Sequence, residues 1–140
     1  MVAPPKIGKR EKTRLQLIEA GIAVLSQKSM DSASIDEVAN LAGVARGTFY
    51  NYFADRDELL RAISQHLRDQ LNLELFDWIP TEYDVEQRTA CIMFGFVDYA
   101  LNNPDIGWAL VRIGGSAHWL QPQNYSDNIL AFEAYLEKRQ

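Results

Sequence analysis

The stretch SIDEVANLAGVARGTFYNYF, residues 34 to 53, constrains what this chain can fold into more than any other part of it. Ser34 reads as a helix cap: its hydroxyl can accept from the backbone N–H of Glu37 while the Glu37 side chain reaches back, the reciprocal capping box. Ile35, Val38, Ala39 and Ala42 then share one buried face. Gly43 stands where the helix ends in a left-handed residue, a conformation glycine adopts without steric cost. The chain restarts as ARGTFYNYF, where Phe49 and Phe53, four apart, fall on one side and plug a core. Two short helices on a tight glycine turn, braced by a longer helix before them, predict a helix-turn-helix arrangement.

With Phe49 and Phe53 inward, Gly47, Thr48, Tyr50 and Asn51 sweep the opposite arc, and Arg46 projects from the first turn. This outward set offers donors and acceptors with little net charge. A surface facing only water more often carries Glu and Lys, the better helix formers, and Gly47 lets a neighbouring surface come close. DNA suits such a face, since Arg fits guanine edges, Asn fits adenine edges, and Thr offers a hydroxyl or a methyl. The same shape also occurs as a plain packing unit with a half-buried tyrosine pair.

The rest of the chain reads as helix. Leu15, Ile18, Ile22 and Leu25 line one face of a helix over residues 11 to 28. Asp55, with Glu58 three residues on, caps another, whose stripe of Leu60, Ile63, Leu67, Leu71 and Leu75 ends before Pro80. A fifth helix is expected from Asp84 to Asn102. A sixth begins at Pro104 with Asn103 as its cap, weakened onward by Gly114 and Gly115. Beyond Pro122, Ser126 or Asp127 opens a last helix with Ile129, Phe132 and Leu136 inward. No strand-like alternation and no internal repeat occur, so the expected class is all-α. The expected division is an arm and helix-turn-helix head over 1–55, a connecting helix over 56–79, and a helical regulatory unit over 80–140.

Composition fits this reading and narrows the chemistry. At 140 residues, 47% hydrophobic and 24% charged, the chain has the balance of one globular unit or two small helical ones sharing a core. No apolar run is long enough to span a bilayer and the opening MVAPPKIGKR lacks the apolar stretch of a signal peptide, so a cytoplasmic protein is expected. Cys91 is the single cysteine and, spaced among Phe94, Val97 and Leu101, reads as a small core residue. The net charge of −5 divides unevenly: residues 1–68 are net +2 and residues 69–140 net −7. Lys6, Lys9, Arg10, Lys12 and Arg14 against Glu11 make the first fourteen residues net +4, a basic arm that is either a solvated tail or a phosphate-binding one. With His66 and His118 the only histidines, no zinc spacing and no glycine-rich phosphate loop, neither an enzyme nor a metal or cofactor site is expected.

From Thr13 to Leu60, and above all in SIDEVANLAGVARGTFYNYFADRDELL, the chain resembles the DNA-binding domain of TetR-family (tetracycline-repressor-like) transcriptional regulators. The resemblance rests on the alanine-glycine-valine turn, the glycine-threonine-aromatic-tyrosine helix, the closing phenylalanine and the acidic-leucine pair, together and in order. It implies that Ser34 binds phosphate, that Arg46, Gly47, Thr48, Tyr50 and Asn51 contact DNA with Tyr52 next to the backbone, and that Arg56 is the basic residue opening the fourth helix. Lys9, Arg10 and Lys12 would add phosphate contacts. Ala45 departs from the serine common before the recognition helix, removing a capping hydroxyl worth about 1 kcal/mol. In the family two further long helices build the dimer interface, whereas this sequence ends at AYLEKRQ soon after the seventh helix opens.

The resemblance implies a homodimer on a palindromic double-stranded operator, released when a small-molecule effector binds the second half. Candidate effector contacts are Phe94, Tyr99, Trp108, Arg112, His118 and Trp119; the competing reading is core packing for the aromatics and, for Arg112 and His118, surface residues flanking the Gly114–Gly115 break. Two functions stay open at this stage: a ligand-responsive repressor, and a helical small-molecule-binding or protein-interaction module whose head has no DNA role.

Overall fold

The computed structural model describes residues 8–29, 31–75 and 79–114, together with 134, 137 and 138. The helices are α1 (Lys9–Gln27), α2 (Ile35–Leu41), α3 (Arg46–Phe49), α4 (Arg56–Leu75), α5 (Val85–Asn102) and α6 (Pro104–Gly114), with no strand among the described residues. The all-α expectation holds. Of the helix expected after residue 126 only 134, 137 and 138 are among the described residues, and His118 and Trp119 lie outside them.

Helix α1 is the hub. α2, α4 and α6 all pack on it, so its burial is not confined to one stripe. Leu17, Ile18, Ala20, Gly21, Ile22, Val24, Leu25 and Ser26 are buried, whereas Leu15, expected on the core face, is only half-buried. The expectation of one face at Leu15, Ile18, Ile22 and Leu25 therefore fails at its first member: partners on several sides bury most of the circumference of the later turns.

The first four stripe residues expected on α4, Leu60, Ile63, Leu67 and Leu71, are buried, and Leu59 joins them. Its start is capped as predicted, the Glu58 N–H donating to Asp55 Oδ1 at 2.8 Å. The reciprocal arm lands one residue earlier than in a capping box, with Glu58 Oε2 accepting from the Ala54 N–H at 2.6 Å. At the start of α5, Asp84 and Gln87 complete a capping box of their own.

Helix α6 does not stand apart from the head. Its Ala109, Leu110 and Ile113 belong to the same buried cluster as Leu17, Leu25, Phe49, Phe53 and Ile63. The α5–α6 corner is tight because residue 107 is glycine: a Cβ there would sit 2.9 Å from the Ala100 carbonyl oxygen. Asn103, expected to cap α6, turns its side-chain amide back to the Tyr99 carbonyl of α5 at 2.9 Å, while its own carbonyl accepts from the Gly107 N–H at 2.9 Å.

His66 sits half-buried on α4. Burial pushes its pKa below the ordinary histidine value; Glu19 and Asp69 oppose that shift, and Arg14 adds to it. The unfolded chain therefore binds this proton more readily than the folded one. Stability attached to His66 is complete above its unfolded pKa of about 6.5 and is lost as pH falls through that value toward the lowered folded one. Thermal melts from about pH 8 to about pH 5 are expected to show a fall on the acid side that His66→Gln reduces; an identical slope in both proteins would assign the fall to other groups.

Candidate nucleic-acid interface

The second helix is built as its sequence predicts. Ser34 Oγ accepts from the Glu37 N–H at 3.2 Å, and Glu37 Oε2 accepts from the Ser34 N–H at 3.1 Å, so both arms of the capping box are closed. Lys28 at the end of α1 pairs with Glu37 Oε1. That contact, ahead of those from Ser34, holds the Glu37 carboxyl below the usual carboxylate range. Gly43 adopts φ 71°, the left-handed conformation expected of it, and the Val44 N–H returns to the Ala39 carbonyl at 3.0 Å.

Helix α3 is shorter than ARGTFYNYF suggests. Only Arg46–Phe49 is regular helix; beyond it the Asn51 N–H reaches the Thr48 carbonyl at 3.1 Å and the Tyr52 N–H the Phe49 carbonyl at 2.9 Å, three-residue steps that tighten the last turn. Tyr50, Asn51 and Tyr52 are thus turn residues. Ala45 supplies no side-chain cap, as its methyl group dictates. Helical propagation this short has no stability of its own, so the core must hold it in place. Phe49 is 0% and Phe53 1% exposed, their rings 5.6 Å apart, and Tyr50 meets Phe49 edge-on at 5.4 Å.

The opposite side is open. Arg46, Gly47, Tyr50 and Asn51 are exposed, while Thr48 and Tyr52 are half-buried. A Cβ on Gly47 would meet nothing within 4 Å, so a neighbouring surface can approach the backbone there. Lys9, Arg10 and Lys12 are exposed too, but the basic arm is helical from Lys9 onward rather than an extended tail. These cations occupy the first turn, where the helix dipole disfavours positive charge, and they reinforce its positive end. Arg14, five residues on, lays its guanidinium over the Phe53 ring at 5.3 Å, which ties this end of α1 to the segment closing α3.

Two of the expected DNA-contacting cations have partners within the chain. Arg56 Nη1 donates to the Asp31 and Ala33 carbonyls at 3.3 and 3.4 Å, bracing the loop before α2. Arg46 Nη1 donates to Asp36 Oδ2 at 2.6 Å and its Nη2 to Tyr50 Oη at 3.4 Å. Sequence reasoning did not single out Asp36: an acid in the first turn of a helix is explained by the dipole alone, and ten residues separate it from Arg46.

The four expected effector contacts among the described residues differ in their surroundings. Phe94 is 73% exposed on α5, on a stripe with Met93, Val97 and Leu101, and Trp108 is 55% exposed on α6. Cys91 is half-buried, so the core placement expected among these residues is not found. Tyr99 packs partly buried against the core. Arg112 lies over the Trp108 ring at 5.3 Å and donates through Nη1 to the Leu25 and Ser26 carbonyls at 2.7 and 2.6 Å. Among the described residues there is no cluster of His, Cys, Asp or Glu able to hold a metal, and no helix is long and apolar enough to cross a membrane.

A capped helix, a left-handed glycine and a short helix pinned by two buried phenylalanines, with its polar side open, define a helix-turn-helix head. Residues 17–63 match the family described as bacterial regulatory proteins, tetR family. The HTH-type transcriptional regulator BetI of Pseudomonas aeruginosa is 35% identical over 103 residues, 71% of this chain and 52% of that protein. The HTH-type regulator YvdT of Bacillus subtilis is 43% identical over 60 residues, 43% of this chain and 29% of that protein. A TetR-family transcription regulator from Shewanella sp. PV-4 superposes with a TM-score of 0.71 at 18% identity, covering 91% of this chain and 69% of that one. At that identity the superposition speaks for the fold. The head, residues 17–63, is therefore similar to the DNA-binding part of TetR-family regulators, and the chain spans about half the length of the BetI relatives.

Proposed function

We propose that this chain is a sequence-specific DNA-binding transcriptional regulator, a repressor that reads duplex DNA with the open side of residues 46–51 and releases it when a small molecule binds the helices after α4. The observation that carries this reading is the division of one short segment into a buried aromatic side, Phe49 and Phe53, and a polar side of Arg46, Gly47, Tyr50 and Asn51 left in the open. Arg46 at the start of α3, with Tyr50 and Asn51 in the turn that closes it, offers donors and acceptors of the kind base edges take. Lys9, Arg10 and Lys12 supply the sequence-independent attraction to phosphate, and the Ser34 hydroxyl at the start of α2 is a further phosphate contact. Tyr52 and Arg56 act mainly as braces for the reading segment and the α1–α2 loop. In this reading the protein is a cytoplasmic homodimer on a palindromic operator, its reading helices about 34 to 36 Å apart, and it is not an enzyme. Arg112 and Trp108 are the effector-side residues with the most direct route to the head, through the end of α1.

The test is selection of bound duplexes from a random-sequence pool, followed by binding across a salt series. A palindromic site is expected, with log affinity falling against log salt by about 0.9 for each phosphate neutralised. Tyr50→Ala with Asn51→Ala is expected to remove the preference for that site while retaining the thermal unfolding of the parent. If the parent protein enriches no sequence even at low salt, the reading falls, and the head is a packing unit of a ligand- or protein-binding module.

A further inference from the structure

We infer that Asp36 is a specificity-setting residue of the DNA-reading face: acting through Arg46, it fixes the guanidinium so that its free donors meet the N7 and O6 of one guanine in each half-site. This inference rests on the DNA-binding reading above and deepens it by naming a base.

The arrangement has three fixed points. Asp36 sits in the first turn of α2 and its Oδ2 accepts from Arg46 Nη1 at 2.6 Å. Arg46 itself opens α3, on the other side of the Gly43 turn. Tyr50, whose Oη lies 3.4 Å from Nη2, is held edge-on against the fully buried Phe49. A long and otherwise mobile side chain is thereby tied to the preceding helix and to the core.

Asp36 is not needed for the cap. Ser34 and Glu37 close both arms of the capping box, and Glu37 has Lys28 as its counter-ion. Both partners of the Asp36–Arg46 pair keep more than half of their side-chain surface exposed. Exposed pairs of this kind add little to stability, so the consequence lies in orientation. A guanidinium carries five N–H donors in a planar fork; those committed to Asp36 and Tyr50 leave others for a planar edge with two adjacent acceptors, which in the major groove is guanine. The carboxylate also has an effect of its own. It offsets the Arg46 charge and repels phosphate, so the pair gains less from any backbone and relatively more from the matching base.

The experiment uses the full chain and the site it selects from the random pool, with each position of that site then substituted in turn. The parent protein is expected to prefer G·C over the other pairs at one position per half-site, and Arg46→Ala to lower that preference about ten- to a hundredfold, the range of a lost bidentate contact. Asp36→Asn, which retains shape and loses charge, is expected to lower the same preference about three- to tenfold by releasing the guanidinium, with binding to unrelated duplex unchanged or stronger. A merely structural role would not move the preference at a single position while sparing the others. The inference is overturned if Asp36→Asn keeps the guanine preference that Arg46→Ala loses, or if it weakens all duplexes alike. A parent protein that selects no site would instead sink the DNA-binding reading itself, so the two failures are distinct.

Discussion

Phe49→Ala is expected to destabilise the chain by about 3–5 kcal/mol, the range for removing a buried ring and leaving a cavity that the surroundings cannot fully close. Phe49 is fully buried, touches the Phe53 and Tyr50 rings, and belongs to the core formed by α1, α4 and α6. A domain of this size has roughly 5–15 kcal/mol of net stability, so the loss consumes a large share of it. Chemical denaturation at constant m-value is the measurement. The comparison that gives it meaning is Tyr50→Ala, one residue along. Tyr50 is 46% exposed, and its truncation is expected to shift the unfolding midpoint far less while removing site-specific DNA binding. Equal destabilisation by the two changes would mean that Tyr50 is part of the core, and the separation between buried anchor and exposed side in residues 46–53 would be lost.

That separation was legible in the sequence because it depends on local geometry. A four-residue step puts Phe49 and Phe53 on one side whatever else the chain does, a Ser34–Glu37 spacing allows only one reciprocal bond pattern, and Gly43 is the residue that turns at φ 71° without strain. Contacts between residues far apart in the chain were not legible. Nothing in the spacing of Arg46 and Asp36 marks them as partners, since ten residues correspond to no helical neighbour, and the contact exists because the glycine turn folds α3 back across the start of α2. Leu17 was missed because α1 has partners on several sides, which erases the single stripe that periodicity detects. The length of α3 was overestimated for a related reason: the core contact of Phe53 is satisfied by a tightened turn, and a regular helix to that point is not required. Phe94 shows the opposite limit. Its spacing with Val97 and Leu101 is that of a core face, yet the stripe is exposed, because apolar periodicity predicts which residues lie together and not what covers them.

Arg112→Ala is expected to be the second large loss, about 2–3 kcal/mol, through contacts 86 and 87 residues away in the chain. The last turn of α1 leaves carbonyls without helical donors, and it contains no basic residue of its own to offset the negative end of the dipole. Arg112 supplies both from α6. Its Nη1 donates to the Leu25 and Ser26 carbonyls, and the guanidinium is backed by the Trp108 ring, so the charge is held against the helix end in a half-buried position. Removing the side chain leaves two acceptors poorly served and a cation–π contact unmade. Arg112→Lys restores a charge without the planar group that lies over the ring, and is expected to recover about half of the loss. Hydrogen exchange would locate the effect: amides of the last turn of α1 and of α6 should open more readily in Arg112→Ala, those around Phe49 much less. Because Lys28, one residue past α1, pairs with Glu37 of the α2 capping box, loosening this end of α1 reaches the start of the helix-turn-helix head in two steps. An Arg112→Ala protein that unfolds at the parent's denaturant midpoint would show that α6 is held to the head by Ala109, Leu110 and Ile113 alone, and would remove the route by which events near Trp108 could alter DNA binding.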